Sequence, residues 1–482
     1  MLLTLNHDVL SEILGLLAVQ DLVMVRQVCH VLLAISQEHS VWDAVYRRSK
    51  LLVPSLHTSP QPQARDLEHL LIRSAQLSRT WGPSPSRDQR ITRRFTFPRQ
   101  LPAYSFDAQV ISGRYLQLAE QDAISWYDLE GELPARPLLT FKCDYIAAIP
   151  GFVSHQANAN GEGEMSVWVS FISSCPMGIV ILKLWLGNNP TVTLHATLPA
   201  DSVVEVRMAQ DYILPIREFA LREEPLEILH LPSLTTFYVP RHASITKITD
   251  LAQVSYLFTP EYLVMLLPFR SETHIEVHAL PEVRTSHHPV HCLHRGIYPH
   301  MISRTHLFNG ATRHATKGGS ISFLSIVYPQ ASRGTSPNRS RSQSELHLWE
   351  ACLNSVTSLC EDSPHSCPRR YGAAGLADAS RKINITIKSS QTLPVVTTAS
   401  LASTSHNGTG YALAHPDTPG SGPVRVFHIQ ENELGGGSMV SQPLTLPSDF
   451  QSRDLLSFDG SRGRVCLSRG SAMRSIEVLD YA

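Results

Sequence analysis

The sequence predicts an α+β multidomain chain: a small all-α module at residues 1–48, a linker with an amphipathic helix at 49–95, and an all-β domain at 96–482. Three observations predict it. Apolar residues recur at helical spacing up to about residue 81. From about residue 100 that periodicity gives way to short β-branched and aromatic segments punctuated by Gly, Pro, Asn and Ser. Within this β-rich region a single strand pattern recurs seven times. Such a repeat points to about seven four-stranded sheets set radially, a β-propeller.

The all-α module reads as three short helices and a further helical turn. Asn6 is suited to cap the first helix, because its side-chain oxygen can accept from an unpaired backbone N–H. Asp8 adds negative charge to the first turn, where the helix dipole favours it. Val9, Leu10, Ile13, Leu14, Leu16 and Leu17 follow. At about 100° per residue they cover an arc of about 160°, wider than a helix needs to face one core. Asp21 is placed to cap a second helix carrying Leu22 and Val25, and Val28, Cys29, Leu32, Leu33 and Ile35 form a third apolar run. Ser40-Val41-Trp42-Asp43 has the capping-box form, which starts a further helix with Trp42 and Val45 inward. So small a bundle rarely buries enough surface to fold well alone, and its surplus apolar face calls for a partner or the next domain.

The order of these elements resembles the F-box. Leu5, Asp8-Val9-Leu10, Ile13-Leu14, Asp21-Leu22, Arg26 with Val28-Cys29, and Val41-Trp42 stand where that family carries its Leu-Pro start, acidic residue and aliphatic pair, Asp-Leu step, Arg and Val-Cys stretch, and Trp. The form Ser40-Val41-Trp42 is similar to fungal members. Asn6 departs from the usual Pro, and Leu32 stands where many members carry Trp. The resemblance implies binding to the Skp adaptor of a cullin–RING ubiquitin ligase, with a second domain presenting an unknown protein substrate. Carried over by motif, the adaptor-facing residues are Leu5, Val9, Leu10, Ile13, Leu14, Leu17, Asp21, Leu22 and Val25.

After a Pro-, Ser- and Gln-rich stretch at 51–63, Asp66 precedes an amphipathic helix with Leu67, Leu70, Leu71, Ala75 and Trp81 near helical spacing. This segment resembles a connector that follows the F-box in fungal members. Residues 82–99 then hold Pro83, Pro85 and five Arg (87, 90, 93, 94 and 99) with little aromatic interleaving. They read as a solvated boundary rather than a nucleic-acid patch.

In the β domain the recurring strand runs from Ile124 to Gly131, Val180 to Leu186, Leu226 to Leu231, Ile275 to Leu280, Glu345 to Glu350, Val424 to Ile429 and Ser475 to Asp480. The starts lie 56, 46, 49, 70, 79 and 51 residues apart. Four of these spacings sit near the period of propeller blades. The two long ones hold insertions, a Ser-, Arg- and Pro-rich one at 331–344 and a second at 361–380. The copies resemble degenerate WD repeats, with Tyr127-Asp128 and Leu479-Asp480 where Trp-Asp would sit. Ser457 to Leu467 reads as the inner strand pair of the final blade. The other architecture compatible with this periodicity is a large β-sandwich or two stacked β domains.

Composition narrows the function classes. With 43% hydrophobic and 17% charged residues the chain can build a large core, and its net charge of −1 selects neither nucleic acid nor an acidic membrane. The eight Cys (29, 143, 175, 292, 352, 360, 367 and 466) include no Cys-x-x-Cys, so reduced thiols and a cytoplasmic or nuclear setting are expected. Asp8 and Glu12 interrupt the apolar start, so no signal peptide is expected, and no apolar run is long enough to span a bilayer. There is no Gly-Lys dipeptide, Gly-x-Ser-x-Gly, Gly-x-Gly-x-x-Gly or His-Glu-x-x-His. His287, His288, His291, Cys292 and His294 are metal ligands by type, but crowded neighbours in one loop diverge rather than close a tetrahedron. A polar loop is expected there, with no metal, no cofactor and no catalytic residue. The readings carried forward are a ligase substrate receptor and, from a different class, an interaction scaffold whose helices cap the propeller.

Overall fold

The helical periodicity of the first 81 residues becomes five helices: α1 (His7–Gly15), α2 (Val19–Val25), α3 (His30–Ile35), α4 (His39–Arg48) and α5 (Ala64–Trp81). The computed structural model describes residues 5–49, 51–52, 63–82, 89–98, 107–120, 122–143, 154–159, 165–174, 177–187, 189–200, 203–209, 211–217, 225–239, 254–258, 262–269, 272–280, 292–298, 302–309, 320–327, 345–352, 381–382, 384–393, 399–406, 409–416, 423–431, 437–450, 455–469 and 475–481. Leu10 and Leu14 of α1, Leu22 of α2, Leu32 and Ile35 of α3, and Val41, Trp42 and Val45 of α4 share one core. That core is completed by Leu67, Leu71 and Ala75 of α5. The long helix therefore belongs to the bundle and does not trail behind it as a linker.

The helix starts differ from the caps the sequence suggests. Asn6 occupies the cap position of α1, but its side chain makes no capping bond. Asp21 lies inside the first turn of α2, whose cap position is Ala18. The fourth helix begins one residue before Ser40, with Glu38 at its cap position. Glu38 instead meets the His7 ring at 2.7 Å, a tertiary contact that local propensity does not encode. At α5 the capping box does form, with Gln63 as cap and Asp66 reaching back to its backbone N–H.

The β-rich region arranges its strands, among the described residues, into seven sheets. Sheet I holds β2 (Asp107–Ile111), β3 (Tyr115–Ala119), β4 (Ala123–Asp128) and β5 (Pro137–Lys142). Sheet II holds β6 (Ser154–Ala159), β7 (Met165–Ser174), β8 (Met177–Leu186) and β9 (Thr191–Pro199). Sheet III holds β10 (Val203–Ala209), β11 (Tyr212–Arg217), β12 (Leu226–His230) and β13 (Thr235–Val239). Sheet IV holds β14 (Ser255–Phe258), β15 (Tyr262–Phe269), β16 (Glu272–Ala279) and β17 (Cys292–Tyr298), with the short parallel β21 (Arg381–Lys382) outside. Sheet V holds β18 (Ile302–Asn309), β19 (Ser320–Val327), β20 (Glu345–Cys352) and β22 (Asn384–Thr392). Sheet VI holds β23 (Ala399–His406), β24 (Thr409–Pro416), β25 (Arg425–Glu431) and β26 (Gly437–Pro443). Sheet VII holds β27 (Leu455–Asp459), β28 (Arg464–Arg469) and β29 (Ser475–Tyr481), and its outer strand is β1 (Ile91–Pro98) from the far end of the chain.

All seven copies of the recurring sequence pattern lie at the third strand of a sheet. That strand carries apolar residues on both faces because a neighbouring sheet covers each face. In β29 every residue from Ile476 to Tyr481 is buried. Successive sheets share apolar clusters: Trp126 with Val167, Ile181 with Ile213, Ile228 with Met265, Val277 with Phe323, Leu348 with Phe427, and Val426 with Val465. Val478 of sheet VII meets Leu116 of sheet I, which closes the circuit. This radial architecture is propeller-like and excludes one sandwich core. Third-strand tryptophans are anchored from the second strand, Trp126 Nε1 donating to Gln117 at 2.9 Å and Trp349 Nε1 to Ser325 at 2.6 Å. Ser457 to Leu467 does form an antiparallel pair within sheet VII.

The arginine-rich stretch corrects the expected boundary at residue 95. Residues 91–98 are no linker, because β1 starts at Ile91 and pairs antiparallel with β29 from Tyr481 to Ser475. Its Arg93 and Arg94 reach Glu130 and Glu477.

Candidate docking interface

The bundle presents more apolar side chain to solvent than its size needs. Of the 14 large exposed hydrophobics among the described residues, six fall within the first 31 positions: Leu5, Val9, Leu16, Met24, Val28 and Val31. On α1 this follows from the broad apolar arc. At about 100° per residue Val9, Ile13 and Leu16 fall within about 60° of one another, centred about 110° from Leu10 and Leu14. One stripe packs inward and the other remains uncovered.

The structure separates the nine residues carried over from the F-box motif. Leu10, Leu14 and Leu22 are 3%, 3% and 0% exposed and form the bundle core, so they offer no surface to another molecule. Ile13, Leu17 and Val25 are half-buried, and Leu5, Val9 and Asp21 are exposed. Sequence reading gave no docking role to Leu16, Met24, Val28 and Val31. The signal was present: Met24 lies about 200° around α2 from the inward Leu22.

Arg26 braces the bundle from within. Its guanidinium forks onto Glu68 of α5, with Nη2 donating to Oε2 at 3.0 Å. It also donates to the Ser36 hydroxyl and carbonyl at 3.0 Å each and lies 5.2 Å from the centre of the Trp42 ring. One side chain thus ties the α2–α3 turn to the long helix, a geometry suited to the planar, bidentate guanidinium.

Helix α5 fastens the bundle to the ring. Its Leu67, Leu71 and Ala75 serve the bundle core, while Leu77 and Trp81 enter the core between sheets VI and VII. Trp81 packs against Tyr411, Phe458 and Tyr481 with ring centres 5.5 to 5.9 Å apart. Gly463 is in the left-handed region at φ 65°, and a Cβ there would lie 2.4 Å from Leu77. Only a glycine combines that backbone conformation with so close an approach. Ser78 bonds the Tyr411 hydroxyl, and burial pushes that phenol's pKa up.

A buried ionic network lies beside this joint. Arg464 donates to Asp480 at 2.7 and 3.1 Å, to the Gly113 carbonyl and to Glu130. Arg73 of α5 reaches Asp480 at 3.2 Å and donates to the Arg462 carbonyl at 2.7 Å. Glu130 is opposed by burial, but Arg464, Arg462 and Arg73 outweigh that penalty and bring its pKa from 4.5 to about 2. The network joins α5, sheet I and sheet VII.

This arrangement joins the bundle to sheets I and VII. Among the described residues no three His, Cys, Asp or Glu side chains gather as a metal ion needs, and no helix is long and apolar enough to cross a membrane. The histidine-rich segment lies outside the described residues up to 291, and Cys292 and His294 fall on β17. The 331–344 and 361–380 insertions lie outside the described residues, as do Cys360 and Cys367.

No protein-family model matches the chain, and no curated protein matches it. Among solved structures it is similar to Drosophila Plexin A in complex with Semaphorin 1b, with 8% identity over 82% of this chain and 88% of that one and a TM-score of 0.40. It is similar to the WD40 domain of Toxoplasma gondii coronin, with 8% identity over 81% and 87% and a TM-score of 0.39. It is also similar to the β-propeller domain of the Trilobed protease from Pyrococcus furiosus, with 8% identity over 80% and 93% and a TM-score of 0.36. These likenesses are to β-propeller folds and extend to no activity or partner of those proteins.

Proposed function

We propose that this chain is the substrate-recognition subunit of a cullin–RING ubiquitin ligase. In this reading the bundle is an F-box of the fungal type that docks a Skp adaptor. The seven sheets are a seven-bladed propeller, closed by β1, that holds a protein substrate. The observation that carries the reading is the uncovered apolar surface of Leu5, Val9, Leu16, Met24, Val28 and Val31 on a bundle fastened to a large β ring. Six such side chains at about 1.5–3 kcal/mol each supply a docking surface, before the cost of association. The chain needs no cofactor and does no bond chemistry. Its contribution is proximity, holding a substrate lysine near a charged conjugating enzyme. The cytoplasm or nucleus is the setting for that role.

Co-expression with a Skp adaptor and a cullin tests the reading on a sizing column. A stoichiometric complex is expected, and Val9→Glu with Met24→Glu should abolish it while thermal unfolding is unchanged. Leu10→Asp is unsuited to this test, because Leu10 is core and its loss unfolds the bundle. Clean separation of the folded wild-type chain from the adaptor rejects the reading.

The scaffold reading has its own support, since Leu77 and Trp81 belong to the ring's core as much as to the helix. In that case the bundle is a structural cap, and no adaptor co-elutes with a folded chain.

A further inference from the structure

A cleft of about 350 Å³ opens where α4, α5 and the turn between α1 and α2 meet. Two helices line it with similar residue types. Val45, Arg48 and Ser49 come from α4 and its end, and Ala75, Ser78 and Arg79 come from α5. Ala75, Ser78 and Arg79 are spaced i, i+3, i+4 on α5, while Ser49 follows Arg48 as the extended C-cap of α4, so both helices bring a hydroxyl and a guanidinium to the cleft. Leu17, Val19 and Leu51 extend the apolar wall.

The charges here are one-sided. No carboxylate is among the described lining residues. Arg79 makes no ion pair or hydrogen bond with any described residue, unlike Arg73 nearly two turns earlier, which is held by Asp480. Arg48 spends one nitrogen on the Leu16 and Leu17 carbonyls and keeps the rest of its fork available. A guanidinium pair beside hydroxyls and an apolar wall complements one anionic group with an apolar tail. The volume sits at the small end of the range for ligand pockets, about 300–1,000 Å³. A small molecule fits it better than a folded partner.

The geometry points to a binding site for a small amphipathic carboxylate, of the medium-chain fatty acid type, at the joint between bundle and ring. The carboxylate sits between Arg48 and Arg79, and the chain lies along the half-buried Leu17 and Leu51. Ser78 also bonds Tyr411 of sheet VI, so the bound ligand touches the element that fixes the bundle's orientation. Occupancy at this place stabilises the joint by mass action.

Calorimetric titration of the full-length chain with octanoate tests the site. The expected result is one-to-one binding, at least tenfold tighter than acetate, which lacks the tail, and than 1-octanol, which lacks the charge. Arg79→Gln and Arg48→Gln should each weaken octanoate at least tenfold, and Arg79→Gln, which breaks no bond to a described residue, should keep the same thermal midpoint in the absence of ligand. Octanoate binding no tighter than octanol, or binding that Arg79→Gln leaves unchanged, overturns the assignment. So does an acidic peptide that binds through Arg79 while octanoate does not.

Discussion

Two aspartates at equivalent places show how a residue-level signal becomes structure. Asp128 closes β4 and accepts from Arg114 at 2.9 and 2.7 Å; Asp480 is the last residue but one of β29 and accepts from Arg464. The repeat pattern made both aspartates legible, because Tyr127-Asp128 and Leu479-Asp480 stand at matching places in two copies. Their partners were not legible, since Arg464 also bonds Glu130, 334 residues away. Glu130 is the charge on which that network turns. Glu130→Gln should destabilise the chain by roughly 3 kcal/mol at pH 7, the worth of a pKa held at about 2 instead of 4.5. The folded-state pKa is the lower one, so this stability is present above pH 4.5 and lost as pH falls toward 2. Urea melts of wild type and variant should therefore converge between pH 4.5 and pH 2. A gap that persists at the acid end contradicts the ionic account.

At the scale of elements, α5 decides how the bundle and the ring relate. Its sequence shows one amphipathic helix, yet it carries two apolar faces. At about 100° per residue, Leu67, Leu71 and Ala75 centre about 100° from Leu77 and Trp81. One face meets the bundle and the other meets the ring. The second face could have been read from the helical projection, but its target could not. Trp81→Ala should remove ~3–5 kcal/mol of packing and loosen the joint. Hydrogen exchange is expected to speed at residues 74–81 far more than at α1. Equal protection of α5 in the variant and wild type would show that Arg73 and Glu68 hold the helix without the indole.

The whole molecule closes through β1. Sheet VII takes three strands from the end of the chain and its fourth from residues 91–98. A chain beginning at residue 99 leaves β29 as an open edge with its apolar neighbours uncovered. It should aggregate, whereas the full-length chain should remain monomeric in light scattering. Monomeric behaviour of the shorter chain would mean that the apolar contact of Val478 with Leu116 suffices to close the circuit.

The sequence by itself determined the order of helices then strands and the seven recurrences, because periodicity and turn chemistry act over a few residues; their place as third strands came from the sheet order. It also determined that the first helix carries surplus apolar surface. Only the tertiary structure decided which apolar residues of that surplus are core and which are exposed. It likewise decided that an arginine-rich stretch is a strand, and that Arg73 is held while Arg79 pairs with none of the described residues. Each of these depends on contacts between residues far apart in the chain. Their energies arise from burial and charge pairing that exist only once the elements have met.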